Sequence, residues 1–164
     1  MICVICRVFR RPFALAVLTI ALALARSTTV AAQLLPPPSC TLGMASVAFG
    51  TYNPLSATAL DTSGTLSFSC NLTAPLPTIA LSTGASSTFT PRTMIRAGGG
   101  GALQYNLYLD ALHLVVWGDG ADLTTSRFIA AGLLGQVTFY GSVPARQSVP
   151  AGSYSDTLVA TIYF

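Results

Sequence analysis

Lysine and glutamate are absent from the 164 residues, histidine and tryptophan each occur once, and charged side chains make up 8% of the chain. Each shortage removes a class of function. Without lysine, the Gly98–Gly101 run is no phosphate loop, since that motif needs a lysine to reach the phosphates and a helix to follow. With His113 as the sole imidazole, a Ser-His-Asp site has one candidate base and no supporting motif, so no enzyme is expected. From Gln33 onward four arginines stand against five aspartates. The resulting formal charge of −1 leaves no basic footprint for nucleic acid. Asp119-Gly120-Ala121-Asp122 lacks the ligand density of a calcium loop and reads, with Trp117 and Gly118, as a structural turn. No metal and no cofactor are expected.

What is present begins with a segment for export. Residues 1–32 carry arginines up to Arg11, an apolar stretch from Phe13 to Ala25, and the small run Val30-Ala31-Ala32 before Gln33, the order of a secretory signal. The apolar stretch is too short and too poorly flanked for a membrane span, so no stable membrane insertion is expected after cleavage. Arg10-Arg11 fits an ordinary positive n-region better than a twin-arginine signal. Cleavage is expected after Ala32, with Ala25 as an earlier alternative. Cys3 and Cys6 would leave with this segment, so their Cys-x-x-Cys spacing is not read as a redox pair. Cys40 and Cys70 would remain, and two cysteines in an exported chain most simply form one disulfide. With His113 as the only histidine, they are too few for a zinc site.

Residues 33–39 form a short arm, and Pro36, Pro37 and Pro38 favour an extended conformation without amide donors. Residues 40–164 form the domain. An interrupted strand is expected over Cys40–Met44 and Val47–Gly50, then a loop to about Gly64. Thr65–Cys70 alternates, with Leu66, Phe68 and Cys70 facing inward. Pairing it with the Cys40 segment would bring the sulfurs together. Further strands are expected at Thr78–Ser82, Phe89–Ile95, Ala102–Asp110 and Leu133–Tyr140. Leu112–Trp117 is apolar, placing His113 in an apolar strand, and Gly141–Pro150 reads as a loop. Ser155–Phe164 closes the series, with Leu158, Ala160, Ile162 and Phe164 on one face. No segment after residue 32 has helical periodicity of helix length, and about seven short strands separated by turns indicate a β-sandwich.

The ordered series Cys40, Val47–Pro54, Gly64–Cys70, Arg92-Thr93-Met94, Leu103–Asp110, Trp117-Gly118-Asp119-Gly120, Tyr140–Ala145 and Gly152–Asp156 resembles the spore coat protein U domain family, which includes subunits of archaic chaperone-usher pili. The resemblance covers Cys40 to Phe164. It implies an all-β, incomplete immunoglobulin-like sandwich, completed by a donor strand. It also implies a periplasmic chaperone, an outer-membrane usher and neighbouring pilus subunits as partners, and a place on the cell surface or outside the cell, in adhesion and biofilm.

By the same resemblance Leu158, Ala160, Ile162 and Phe164 line or border the groove and offer its edge, where an added strand supplies backbone bonds and alternate side chains. Cleavage after Ala32 leaves an arm of seven residues before Cys40, spanning at most roughly 24 Å. That suits a tip or terminal subunit. Cleavage after Ala25 leaves fourteen, with Val30, Ala32 and Leu34 in strand parity, and permits a repeating subunit. The competing reading is a freestanding secreted coat or carbohydrate-binding module, stacking sugars on exposed tyrosines or Trp117.

Overall fold

In the computed structural model, residues 2–9, 36–71, 76–129 and 134–164 are described. The apolar stretch Phe13–Ala25, both expected cleavage points, Gln33 at the root of the arm, and Leu133 lie outside them. Among the described residues ten strands form: β1 (Ile2–Phe9), β2 (Cys40–Leu42), β3 (Ser46–Val47), β4 (Leu60–Cys70), β5 (Thr78–Leu81), β6 (Arg92–Arg96), β7 (Ala102–Tyr108), β8 (Arg127–Phe128), β9 (Leu134–Val143) and β10 (Tyr154–Tyr163). The helical content among these residues is one short 3-10 turn at Gly84–Ser86.

The pairing runs β2-β4-β9-β7-β6 on one side and β3-β1-β10-β5-β8 on the other, and the first two residues of β10 also pair with β6. Inward faces of both layers meet in a shared apolar core containing Leu66, Phe139, Leu107, Ile79 and Leu158, with Trp117 between them 5.5 Å from the Phe139 ring. This is the immunoglobulin-like sandwich. Cys40 lies directly opposite Cys70 across the β2–β4 ladder, and the two form a disulfide with Cα atoms 4.1 Å apart.

Two strands outrun their sequence patterns. β4 begins at Leu60, before the alternating stretch, because residues 60–69 pair without a break to 143–134 of β9. Gly64 sits where that ladder passes beneath Val47 and Phe139, and a Cβ there would collide with both side chains. For the same reason β9 extends to Val143, into the expected loop. β8 carries no sequence pattern and is a two-residue edge on β5.

His113 is not in a strand. Residues 111–113 turn, His113 has φ +58°, and Leu112 and Leu114 project outward. The cause is Asp110, whose carboxylate accepts the backbone amides of Leu112, Leu114 and Val115, the last at 2.7 Å. One acidic side chain thus holds an apolar run as a loop, as aspartate does in turns.

Candidate strand-accepting groove

β10 is the strand on which the fold turns. Its alternate side chains Leu158, Ala160 and Ile162 are fully buried between the layers, and Phe164 just beyond is partly buried against the same core. One backbone edge of β10 is taken by β6 and β5, through Tyr154 and Ser155 and through Ala160–Tyr163. Its other edge is taken by β1 alone, which runs parallel to it through eight consecutive pairs from Ile2↔Asp156 to Phe9↔Tyr163. β1 in turn reaches β3 through Ile2↔Val47 and Cys3↔Ser46. β1 thus fills the candidate groove between β10 and the two-residue β3. Cys3 and Cys6 occupy β1 positions opposite Thr157 and Ala160.

The groove is held in shape by buried polar groups that the sequence pattern does not display. Arg92, on β6, is wholly buried. Its Nε and Nη2 each donate to the Ser82 carbonyl at 3.1 Å, Nη2 also donates to Trp117 O at 2.7 Å, and Nη1 donates to Asn106 Oδ1 at 2.7 Å. The Phe89 ring covers the guanidinium at 5.2 Å. Asn106 passes the chain of bonds on to Phe89 O at 2.9 Å. Burial lowers the Arg92 pKa, opposed by the fields of Tyr105 and Asp156.

On β10, the Asp156 carboxylate accepts the Tyr105 hydroxyl at 2.6 Å and the Ala85 amide at 3.0 Å. Gly84, at φ +69°, lets the loop approach this closely, since a Cβ would collide with the carboxylate. Burial pushes the Tyr105 phenol well above its ordinary value, and the bond to Asp156 adds to the shift. The Ser82 hydroxyl accepts the Val159 amide at 2.9 Å, and the Ser82 amide donates to Val159 O. Residues 82–92 therefore clamp the paired side of β10 by side chains as well as by ladder bonds. The edge facing β1 has no such clamp among the described residues.

Trp117 of the turn Trp117-Gly118-Asp119-Gly120 is 1% exposed, with Nε1 donating to Ile79 O at 3.0 Å. It is a core pin and cannot be the sugar-stacking surface that a binding module would need. Gly118 passes tightly against Thr124, and Asp119 Oδ1 accepts the Ala121 amide at 2.8 Å, so the turn is structural. At the other end of the arm, Asn71 donates to Pro37 O at 2.8 Å and accepts the Ser39 amide at 3.2 Å, anchoring the prolines beside the disulfide. An open cavity of about 650 Å³ lies at the β10 start, lined by Phe49, Tyr52 and Tyr154 among others. Both tyrosine hydroxyls there bond to carbonyls of the chain, Tyr52 to Pro144 O and Tyr154 to Pro150 O.

The register of β10 could be read from its alternation. The buried status of Arg92, Asn106 and Asp156 could not. Their one sequence signal is that polar residues occur within or beside strongly apolar strands.

Comparison with known proteins bears on family and fold. The family model of the Spore Coat Protein U domain matches residues 26–161. "Protein U" of Myxococcus xanthus is 40% identical over 129 residues, spanning 71% of this chain and 70% of that protein. Among solved structures, the crystal structure of the CsuC-CsuE chaperone-tip adhesion subunit pre-assembly complex, from archaic chaperone-usher Csu pili of Acinetobacter baumannii, contains a chain that matches at TM-score 0.51 and 19% identity. The match covers 77% of this chain and 40% of that one, and shows a shared fold.

Proposed function

This chain belongs to the Spore Coat Protein U domain family, and from that premise we propose that it is a non-enzymatic structural subunit of a bacterial surface fibre or coat, assembled by strand addition. The observation that carries the reading is the β10 edge, which β1 alone completes by parallel pairing over eight residues. Strand addition of this kind combines main-chain hydrogen bonds along an edge with side chains set into alternate pockets. Here the alternate positions along the edge are the buried Leu158, Ala160 and Ile162, with Phe164 bordering them.

On this reading residues 1–32 are a signal that directs export through the periplasm. A periplasmic chaperone first supplies the strand, and an outer-membrane usher and a neighbouring subunit complete the exchange. The likeness to a chain of a chaperone-subunit complex supports the chaperone step. The bonds from Asn71 to Pro37 and Ser39 keep the end of the arm on its own domain. Only residues before Pro36 could then enter a neighbour, which with cleavage after Ala32 suits a tip or terminal position. Cleavage after Ala25 would leave Val30, Ala32 and Leu34 for a donor role.

A second reading, a freestanding module that takes a sugar, is favoured by one observation, the aromatic cavity at Phe49, Tyr52 and Tyr154.

The test is to express the full-length gene with and without adjacent chaperone and usher genes, and to run the non-reduced surface fraction unheated and heated on a denaturing gel. A heat-labile complex that forms only with the partners is the expected result, and a ladder of such bands would indicate the longer arm left by cleavage after Ala25. A soluble monomer that needs no partner would transfer the weight to the freestanding module.

A further inference from the structure

The outer face of the β2-β4-β9-β7-β6 layer lies away from the shared core, on the layer that the open edge of β10 does not belong to. Along β9 the side chains of Val137, Phe139 and Val143 are buried, which sends those of Thr138 and Tyr140 outward. Directly opposite residues share a face of the sheet. Ser63 of β4, Tyr140 of β9 and Tyr108 of β7 therefore stand in one row across three strands. Asp61 lies beside this row on one side, and the pair Thr65↔Thr138 on the other. Tyr108 and Tyr140 are half-buried, so each keeps part of its ring in water. The His113 ring borders that of Tyr108 at 4.9 Å, carried there by the turn that Asp110 holds.

The chemistry of the row differs from that of the other tyrosines. The hydroxyls of Tyr52, Tyr105 and Tyr154 are each bonded within the chain. Among the described residues, those of Tyr108 and Tyr140 bond to no group of the chain. Two neighbouring aromatic bodies thus present uncommitted polar tips. Burial, then the fields of Asp110 and Asp61, raise the Tyr108 pKa, so its hydroxyl remains a donor at neutral pH. The one cation whose field reaches it, Arg92, is wholly buried.

We infer that this row is a binding face for a neutral polysaccharide. A sugar ring has a face of C–H groups that stacks on an aromatic ring and a rim of hydroxyls that bond to phenol, serine, threonine and carboxylate oxygens. Opposite Cβ atoms in a ladder stand about 4.5–5.5 Å apart, close to the repeat of sugar rings along a chain, so Tyr108 and Tyr140 meet adjacent sugars. An acidic polymer is disfavoured by Asp61 and Asp110. A second copy of this chain is disfavoured for the same reason, because a two-fold contact through this face would set the same carboxylates against one another. The inference does not rest on strand addition. It gives an assembled subunit the sugar contact otherwise expected of a freestanding module, at a surface distinct from the cavity at Phe49, Tyr52 and Tyr154.

The test is to purify the exported protein from the surface fraction and sediment it with insoluble cellulose, chitin or starch, each with and without excess soluble polygalacturonate. Retention by at least one neutral polymer, undiminished by polygalacturonate, is the expected result. Tyr108→Ala with Tyr140→Ala should weaken binding at least about tenfold. Tyr108→Phe with Tyr140→Phe, which keeps both rings and the fold, should weaken it at least about threefold through the lost hydroxyls. Arg127→Ala, on the other layer, should leave it unchanged.

Retention by none of the three polymers, or equal retention of the parent and the phenylalanine pair, would overturn the sugar face and leave the strand-addition reading standing. Displacement by polygalacturonate would overturn the choice of a neutral ligand. Sedimentation of the parent without any polymer, lost in the phenylalanine pair, would make the face a contact between copies and overturn the inference as well.

Discussion

The Tyr105 hydroxyl lies 2.6 Å from Asp156 Oδ2 in the interior, joining the middle of β7 to the start of β10. Asp156 is also the residue opposite Ile2, so the first position of the groove is built on this bond. Tyr105→Phe deletes the donor and leaves a buried carboxylate with fewer partners. The expected loss is about 1–3 kcal/mol in denaturant unfolding at neutral pH.

The same tyrosine gives an alkaline signature. Its pKa is raised in the fold by burial, chiefly, and by Asp156, so the folded state keeps a proton that the unfolded state releases from about pH 10. Its contribution is therefore complete below about pH 10 and falls as pH rises through the folded value. Tyr108, raised by burial and by Asp110, acts in the same direction. Stability followed from pH 8 to 11 should decline, and Tyr105→Phe should flatten the decline.

Arg92→Met leaves the carbonyls of Ser82 and Trp117 without the guanidinium donors and Asn106 Oδ1 with the Leu107 amide alone. A loss of about 3–5 kcal/mol is expected, in the range for breaking a buried charged network. Arg92→Lys should recover little of it, because an ammonium cannot reproduce the planar fork that reaches three acceptors. Thermal melts of the two variants should be closely similar, both well below the parent.

Asp110 acts through its ionised form. The Val115 amide first, then those of Leu114 and Leu112, holds its carboxyl below the usual carboxylate range. The loop it supports is therefore at full strength above about pH 4, the unfolded carboxylate value, and weakens as pH falls through the lower folded one. Amide exchange at Leu114 and Val115 should rise on acidification, and Asp110→Ala should show the raised exchange already at neutral pH.

Replacing both Cys40 and Cys70 by serine should cost roughly 3–4 kcal/mol, from the loop entropy that the bond removes in the unfolded chain. Denaturant midpoints of parent and variant, with and without reductant, check this, and the variant's midpoint should not respond to the reductant.

The two cysteines were legible because Thr65–Cys70 alternates cleanly and an opposite strand places Cys40 against Cys70. β10 was legible for the same reason, and the order of elements carried the family. The early part of β4 was not, since Asp61-Thr62-Ser63-Gly64 has turn composition and only pairing with β9, far along the chain, makes it extended. The burial of Arg92 was not legible either, because a wholly buried arginine depends on carbonyls contributed by residues 82 and 117. His113 followed the apolar run around it until Asp110 capped the turn.

The central claim is that the β10 edge is completed by a strand from elsewhere once the N-terminal segment is gone. It is tested by recovering the protein from the cell surface, locating its N-terminus by mass, and measuring hydrogen exchange over residues 156–163 before and after release by heat. The expected result is a chain lacking residues 2–9 in which those amides are protected in the assembled form and exchange rapidly after release. A monomer that lacks residues 2–9, binds no other chain and still protects residues 156–163 would contradict it.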